Sequence, residues 1–211
     1  RSRIAEAYRS FRTAVFGDRP AGSSQVLLVA SARPAEGKAT TCLNTAAALA
    51  LQGHRVLIVN ADMRRVSTPD AFGFSASRGL SECLTQSVAT AEFIQPFHGV
   101  KNLFFLPAGT LPDHPSELLS SSRFCDVLDE LRLNYEHILI DSPPALLFAD
   151  TRILLSCVDA YVLVAQASHT AKRDLRRTME ELYGSSAAFL GVLFNGAKAK
   201  SPKYTKFGYG A

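Results

Sequence analysis

A glycine-containing loop followed directly by a lysine is the first part of the sequence whose residues predict chemistry. The apolar run Gln25–Ala30 leads into the segment SARPAEGKATT, Ser31–Thr41, and then into an alanine-rich helical pattern. Backbone N–H groups at the start of a helix lack intrahelical partners, and the helix dipole favours an anion there. Gly37 would let the chain approach a phosphate closely, and Lys38 would reach the β- and γ-phosphates of a nucleotide. The segment therefore predicts a phosphate-binding loop.

The loop departs from the usual consensus of such loops. The pattern G-x-x-x-x-G-K-[ST] is met here as A-x-x-x-x-G-K-A, so the motif alone leaves open a turn that carries a surface lysine. Two aspartates, Asp62 and Asp141, follow apolar strand patterns further along the chain. Ligand crevices of parallel α/β sheets form at the carboxyl ends of strands, and carboxylates there can hold Mg²⁺ or its water shell. Each aspartate taken singly could instead cap a turn or a helix.

A sheet with its strands side by side is needed to bring these positions together. The chain has 211 residues, of which 47% are hydrophobic and 20% charged, which suits one folded core and excludes a disordered or fibrous chain. The strand patterns are mostly continuously apolar, as parallel strands covered on both faces are, and they alternate with helical patterns. The sequence therefore predicts an α/β fold of the P-loop NTPase type, with a doubly wound, mostly parallel sheet and helices on both faces.

The predicted elements have these bounds. The strands are Gln25–Ala30, Arg55–Asn60, Asn102–Leu106, His137–Ile140, Ala160–Ala165 and Phe189–Phe194. The helices are Arg1–Gly17, Thr40–Gln52, Ser116–Leu133, Thr151–Cys157 and Lys172–Tyr183. The stretch Arg65–Val100 is less regular, and we expect a short helix pair with loops over the carboxyl edge of the sheet.

Charge and cysteine usage narrow the class of protein. The net charge is +4, and the lysines of Gly196–Ala211 account for it, so a broad nucleic-acid-binding face is not expected. No run approaches the 18 or so apolar residues that a membrane span needs, and a start at Arg1 instead of Met indicates a piece of a longer polypeptide. The cysteines show no C-x-x-C pair and no zinc spacing, and we expect reduced thiols in the core of a cytoplasmic protein. They are Cys42, Cys83, Cys125 and Cys157.

Taken in order, the motifs resemble those of the bacterial tyrosine kinases that regulate capsule and exopolysaccharide synthesis. The segments that carry the resemblance are Glu6–Thr13, Ser31–Thr41, Asn60–Arg65, Leu106–Gly109, Pro115–Leu119, Ile140–Pro144 and the closing strand into Asn195. The second, third and sixth of these match the Walker A, Walker A′ and Walker B segments of that family. The resemblance implies ATP and Mg²⁺ as cofactors and Lys38, Asp62 and Asp141 as catalytic residues. It also implies that the two aspartates organise the metal ion.

The same resemblance implies a set of nucleotide-binding residues. They are Arg33, Pro34, Ala35, Glu36, Gly37, Lys38, Ala39, Thr40, Thr41 and Asn195. The last of these, Asn195, is implied to recognise adenine. An asparagine before Gly196 could instead turn the chain.

The resemblance also implies roles for residues in the two terminal segments. Glu6, Arg9 and Arg12 share one face of the first helix, and that face is implied to mediate subunit contact in a ring. A stripe of ion pairs within the helix is the alternative. Tyr204 and Tyr209 are implied to be phosphorylated by a neighbouring subunit, or else they are incidental residues of the terminus.

The resemblance also gives expectations about domains and partners. Residues 1–197 would form one kinase domain, with an oligomerisation helix at 1–17, followed by a flexible basic tail at 198–211. The implied partners are further copies in a ring, a cognate phosphatase, and a membrane polysaccharide co-polymerase. This co-polymerase is either a separate subunit or a transmembrane part of the same polypeptide. The domain is expected to be cytoplasmic and tethered to the inner face of a bacterial plasma membrane, without a nucleic-acid partner.

Three residues of the predicted site depart from the family pattern. Ala39 replaces the Ser or Thr whose hydroxyl is a direct magnesium ligand. Asn60 replaces the first aspartate of the Walker A′ segment, and an amide cannot accept a phenol proton as a carboxylate can. Ala35 replaces a common loop glycine, which costs roughly 1–2 kcal/mol if the backbone there is left-handed. Asp62 is then the expected base.

These departures leave alternative functions open. The first is an autokinase that phosphorylates its tail tyrosines in trans. The second is a catalytically impaired nucleotide-binding or assembly module of the same export machinery. A partitioning-type ATPase is the third, although its K-G-G-x-G-K loop is met here only as the residues Arg33–Lys38. An iron–sulfur carrier ATPase is disfavoured because its C-x-x-C pair is absent.

Overall fold

A seven-stranded sheet forms the centre of our computed structural model, which describes residues 3–17, 23–64, 78–86 and 88–197. Its strands, numbered along the chain, are β1 Gln25–Ser31, β2 Val56–Asn60, β3 Gln95–Pro96, β4 Leu103–Leu106, β5 His137–Asp141, β6 Ala160–Gln166 and β7 Ala188–Asn195. They lie in the order β3-β4-β2-β5-β1-β6-β7. All neighbouring pairs are parallel except β3 with β4.

One helix precedes the first strand, and further helices connect the parallel strands. They are α1 Arg3–Phe16, α2 Lys38–Ala50, α3 Leu80–Thr85, α4 Pro115–Ser120, α5 Ser122–Arg132, α6 Asp150–Leu154 and α7 Lys172–Leu182, with a 3₁₀-helix at Thr90–Phe93. Within the described ranges, no helix combines the length and the apolar character that crossing a bilayer requires.

The sheet has a separate hydrophobic core on each face. Successive residues of a strand point to opposite faces, and β1 is buried along its whole length. Val26 and Leu28 lie in the core that includes Leu128 of α5. Leu27 lies in the other core with Leu49 of α2, where α1 adds partly buried side chains. The predicted doubly wound sheet with helices on both faces is confirmed.

The predicted strands are confirmed to within one residue at each end, and the short antiparallel β3 was not predicted. One predicted helix, Ser116–Leu133, is wrong because the structure has α4 and α5 there. Ser121 is extended between them, with φ −69° and ψ 149°, and its hydroxyl donates to the carbonyl of Leu118 at 2.6 Å. Serines compete with helical backbone bonding in this way. The predicted helix Thr151–Cys157 is also too long, since α6 ends at Leu154.

The expectation of four reduced cysteines is wrong for two of them. Cys125 of α5 and Cys157, beyond the end of α6, form a disulfide, and their Cα atoms are 5.5 Å apart. That separation lies within the range that a bridge requires. The contact joins residues 32 apart in the chain, so cysteine spacing alone could not reveal it. Cys42 and Cys83 are free and buried, as predicted.

An arginine–aspartate pair fixes the amino edge of the sheet, meaning the edge where β1, β5 and β6 begin. Arg132 at the end of α5 donates from Nη1 and Nη2 to the two carboxylate oxygens of Asp159, both at 2.9 Å. The carboxylate also accepts the backbone N–H of Val26 at 2.7 Å. Helix α5 is thereby joined to the start of β1 and to the residue before β6.

Candidate active site

Three loops meet at the carboxyl edge of the sheet, where β1, β2 and β5 end. Asp141, the last residue of β5, is in register with Val29 of β1 and with Asn60 of β2. The backbone N–H of Ala61 donates to the carbonyl of Asp141 at 2.9 Å. The loops that carry Lys38, Asp62 and Asp141 therefore lie side by side, as the strand order requires.

Electrostatics shows that the three predicted catalytic residues share one site. Burial raises the pKa of Asp141 to about 7, the positive charge of Lys38 opposes this shift, and the negative charge of Asp62 adds to it. Interactions between charges weaken with distance and are largely screened by salt beyond about 10 Å. The structure thus brings Lys38, Asp62 and Asp141 together.

The loop between β1 and α2 contains two left-handed residues. Gly37 has φ 97°, and a Cβ atom at this position would overlap the side chain of Asn195. Ala35 has φ 62°, which costs a residue with a Cβ atom about 1–2 kcal/mol. The loop therefore keeps the turn of a phosphate-binding loop although Ala35 replaces the glycine that would adopt it without strain.

Lys38 is directed back toward the sheet from the first turn of α2. Its side chain is largely buried, with 8% of the residue exposed, and Nζ donates to the hydroxyl of Ser31 at 2.9 Å. Thr40 is exposed, whereas the hydroxyl of Thr41 is buried without a hydrogen-bond partner among the described residues. Ser31 was not predicted as a site residue, and it fixes the ammonium group at the mouth of the loop.

Three of the side chains predicted to bind nucleotide are engaged by contacts within the protein. Arg33 pairs with Asp174 of α7, and the pKa of Asp174 is lowered mainly by this hydrogen bond. Glu36 is fully buried and accepts the backbone N–H of Arg33 at 3.0 Å and the hydroxyl of Thr170. Asn195 donates from Nδ2 to the carbonyl of Glu36 at 3.4 Å. The side chains of these residues support the loop, and sequence spacing gave no sign of Asp174 or Thr170.

Asn60 substitutes for an aspartate in shape but not in charge. Its Oδ1 accepts the backbone N–H of Asp62 at 3.0 Å, and Oδ1 of Asp62 accepts the backbone N–H of Arg64 at 3.3 Å. An amide oxygen can cap this turn as a carboxylate would, but it carries no charge and is not a base. The turn after β2 is therefore capped by residue 60 without a negative charge at that position.

The remaining carboxylates fit a magnesium ion. Oδ1 of Asp141 is buried and has no hydrogen-bond partner in the described part of the chain, and leaving a buried charged oxygen unpaired is costly. No group of three or more His, Cys, Asp or Glu residues in that part could hold a metal ion. Mg²⁺ commonly uses one or two carboxylates with waters and substrate phosphates, which suits Asp62 and Asp141. Ala39 has no hydroxyl to add.

A cavity of about 790 Å³ lies elsewhere, between α7 and the sheet, and Tyr161, Met179 and Phe189 are among its lining residues. None of the predicted catalytic residues lines it. The candidate active site is thus defined by side chains that converge at the carboxyl edge.

The structure describes the predicted contact residues of α1 but not the predicted acceptor tyrosines. Glu6 and Arg9 form an exposed ion pair at 2.8 Å within α1, and Arg12 donates to the carbonyl of Ala48 in α2 at 3.3 Å. Their part in subunit contact stays a prediction. Tyr204 and Tyr209 lie outside the described residues.

Known proteins resemble this chain over most of its length. A family model described as an AAA domain matches residues 24–185. The tyrosine-protein kinase YwqD of Bacillus subtilis is 32% identical over 205 residues, which are 97% of this chain and 85% of YwqD. The chain belongs to the bacterial tyrosine kinase family. The kinase domain of the Escherichia coli tyrosine kinase ETK matches this kinase with a TM-score of 0.87 and 27% identity, covering 100% of this chain and 82% of that one.

A second relative differs in length. EpsB of Ralstonia solanacearum is 34% identical over 207 residues, which are 98% of this kinase but 27% of EpsB. The kinase thus corresponds to nearly the whole of one relative and to about a quarter of another.

Proposed function

We propose that the kinase binds ATP with Mg²⁺ at the carboxyl edge and transfers the γ-phosphoryl group to tyrosines of a neighbouring copy. The observation that carries this proposal is the proximity of a largely buried cation, Lys38, to Asp141, whose buried Oδ1 has no partner among the described residues. The cation and the helix start favour an anion, and the carboxylate favours a metal ion. A nucleotide with its metal ion supplies both.

Each residue has a distinct task in the proposed transfer. When bound, Mg²⁺ neutralises charge on the β- and γ-phosphates. Asp62 and Asp141 are the residues that would hold it, and Lys38 adds a positive charge at the same phosphates. The tyrosine oxygen bonds to the γ-phosphorus while the bond to the ADP oxygen breaks, and ADP leaves with that electron pair. The phenol proton goes to Asp62, because Asn60 has no basic oxygen.

Tyr204 and Tyr209 are the proposed acceptors, and the face of α1 with Glu6 and Arg9 is the proposed contact between copies in a ring. The exposure of this ion pair leaves it accessible to a second chain. The proposed setting is the cytoplasmic side of a bacterial membrane, in the machinery that makes or exports capsule or exopolysaccharide. A co-polymerase with a transmembrane part and a phosphatase would be its partners. The match to 27% of EpsB supports a kinase region that can be part of a longer polypeptide.

A second candidate function is an assembly module that binds nucleotide without phosphoryl transfer. Two observations favour it: Ala39 supplies no metal-binding hydroxyl, and Oδ1 of Asn60 is engaged by the backbone of Asp62. Such a module would bind ATP and leave tyrosines unmodified.

The deciding experiment incubates the purified chain with ATP and Mg²⁺ and measures phosphotyrosine by mass spectrometry. We expect phosphate on Tyr204 or Tyr209 in the unaltered chain, none in Lys38→Met, and normal amounts in Lys101→Met, which removes an exposed lysine. ATP binding without phosphotyrosine would support the assembly module. Equal ATP binding by the unaltered chain and Lys38→Met would contradict both functions.

A further inference from the structure

The first two residues of α6 connect the loops that carry Asp62 and Asp141. Asp150 and Thr151 are both fully buried. The Asp150 carboxylate accepts two hydrogen bonds from Arg64, from Nε at 2.7 Å and from Nη2 at 2.9 Å. Since Arg64 lies two residues after Asp62, this fork ties the loop after β2 to α6.

A third loop joins the same cluster. Nη2 of Arg64 also donates to the hydroxyl of Ser116 at 2.7 Å, and that hydroxyl donates to Oδ1 of Asp150 at 2.5 Å. Ser116 belongs to α4, which follows β4. The guanidinium carbon of Arg64 lies 4.2 Å from the ring centroid of Phe148, a favourable cation–π distance. Contacts on several sides therefore fix the arginine in one position.

Thr151 makes the connection to Asp141. Its hydroxyl donates to the carbonyl of Pro143 at 2.7 Å, and the neighbouring Ser142 donates from its hydroxyl to the carbonyl of Val29 in β1 at 3.2 Å. The segment that follows Asp141 is therefore anchored both to α6 and to the strand that leads into the phosphate-binding loop.

The charge of Asp150 is balanced inside the protein. Burial by itself would raise the pKa of Asp150, but hydrogen bonds from Arg64 and Ser116 outweigh it, and the pKa lies below its usual value. Arginine is suited to this task because its planar guanidinium donates two parallel bonds in a fixed geometry, which lysine cannot reproduce.

We propose that Arg64, Asp150 and Ser116 form a positioning clamp that sets the separation of the Asp62 and Asp141 carboxylates. The inference rests on the proposed function, in which those carboxylates hold the metal ion of a bound nucleotide. Residues that orient metal ligands in this way typically change metal affinity about 10- to 100-fold when they are replaced. The three members are positioning residues, since none of them is assigned a contact with substrate.

The matched control is the arginine–aspartate fork at the amino edge. Arg132 and Asp159 are joined by two hydrogen bonds of 2.9 Å, and Asp159→Asn breaks that fork as Asp150→Asn breaks the clamp. Amide hydrogen exchange of the unliganded chain compares the two. We expect exchange of residues 61–64 to be at least about tenfold faster in Asp150→Asn and unchanged in Asp159→Asn. Equal exchange in the two variants would overturn the clamp.

Arg64→Lys is a second test of the clamp in case Asp150→Asn does not fold. The lysine keeps the positive charge but cannot form the two parallel hydrogen bonds of the arginine. ATP binding is then titrated against Mg²⁺. We expect Arg64→Lys to need about 10-fold or more Mg²⁺ for half-maximal ATP binding than the unaltered chain. In EDTA, its affinity for ATP should equal that of the unaltered chain. Asp159→Asn should respond to Mg²⁺ as the unaltered chain does. An equal loss with and without Mg²⁺ contradicts the positioning role. If the unaltered chain binds ATP no better than Lys38→Met, the proposed function fails, and hydrogen exchange still decides the clamp.

Discussion

Aspartates lie at both edges of the parallel sheet, but their hydrogen bonding differs. At the amino edge, the carboxylate of Asp159 accepts bonds from Arg132 and from the backbone of Val26. At the carboxyl edge, Asp150 is satisfied in a similar way by Arg64 and Ser116. Beside it, however, Asp141 has a buried oxygen without a partner in the described part of the chain.

Buried side-chain atoms without a hydrogen-bond partner in the described part of the chain also occur at the amino edge, on Gln25. The carboxyl edge is therefore distinguished by an unpartnered carboxyl group, that of Asp141, which the positive charge of Lys38 influences. A buried polar group that is fully hydrogen-bonded contributes to stability, whereas one without a partner lowers it. The carboxyl edge also contains the left-handed Ala35. A site that costs stability in the unliganded protein and is surrounded by satisfied contacts is typical of function.

The largest expected effect comes from restoring the groups that the carboxyl edge lacks. Ala39→Ser together with Asn60→Asp supplies a metal-binding hydroxyl and a second carboxylate. We expect autophosphorylation to rise by less than the roughly 100- to 10,000-fold that a general base contributes in full, because Asp62 already serves as the base. Ala48→Ser with Asn134→Asp makes the same chemical changes away from the loop and should leave the rate unchanged. The measurement is phosphotyrosine formed per minute. An equal response of the two double variants would show that the restored groups have no special role.

The next largest effect concerns the unpartnered carboxylate. Because burial raises the pKa of Asp141 to about 7 from 3.8, the folded state keeps its proton while the unfolded state loses it. Stability is therefore lost as the pH rises from about 4 to 7. We expect Asp141→Asn to raise the free energy of unfolding by up to about 4 kcal/mol at pH 8, and to have little effect at pH 4.

Urea denaturation in EDTA at the two pH values measures this difference. Asp159→Asn provides the contrast at the amino edge, since removing one partner of a satisfied pair should lower stability at pH 8. If Asp141→Asn were destabilising at pH 8 like Asp159→Asn, the distinction between the two edges would be lost.

Sequence patterns predicted the strands and the convergence of Lys38, Asp62 and Asp141 for one shared reason. Buried parallel strands are continuous apolar runs, and residues that follow such runs must meet at one edge of the sheet. Asp62 and Asp141 could therefore be located together with Lys38. Ser121, where one predicted helix becomes two, depends on a local side-chain bond that competes with the helix.

Contacts between distant parts of the chain could not be predicted from spacing. The disulfide between Cys125 and Cys157 joins two helical regions, and the bond from Arg64 to Asp150 joins residues 86 apart. Arg64 and Ser116 lie in segments that the family resemblance marks, but neither segment indicates its partner. Such pairings follow from how helices pack on the sheet, which a single sequence does not specify.

A smaller contrast between the edges involves two left-handed residues. Ala35 has φ 62° in the phosphate-binding loop, and Asn102 has φ 65° just before β4. Asparagine tolerates this conformation better than alanine, and Asn102 also donates to the carbonyl of Gly53 at 3.1 Å. We expect Ala35→Gly to stabilise the protein by up to about 1 kcal/mol, and Asn102→Gly to destabilise it by about 1 kcal/mol. Thermal unfolding measures both, and stabilisation by each glycine alike would contradict strain specific to the loop.

The smallest effect on stability is expected at two exposed ion pairs. Glu6 and Arg9 pair at 2.8 Å in α1, and Arg177 and Glu181 pair at 2.7 Å in α7. Each pair should contribute only about 0.2–0.5 kcal/mol to its helix, so Glu6→Gln and Glu181→Gln should unfold almost like the unaltered chain. If the face of α1 contacts a second copy, sedimentation velocity should show dissociation only for Glu6→Gln. Identical sedimentation of both variants and the unaltered chain would reduce the Glu6–Arg9 pair to a contact within one helix.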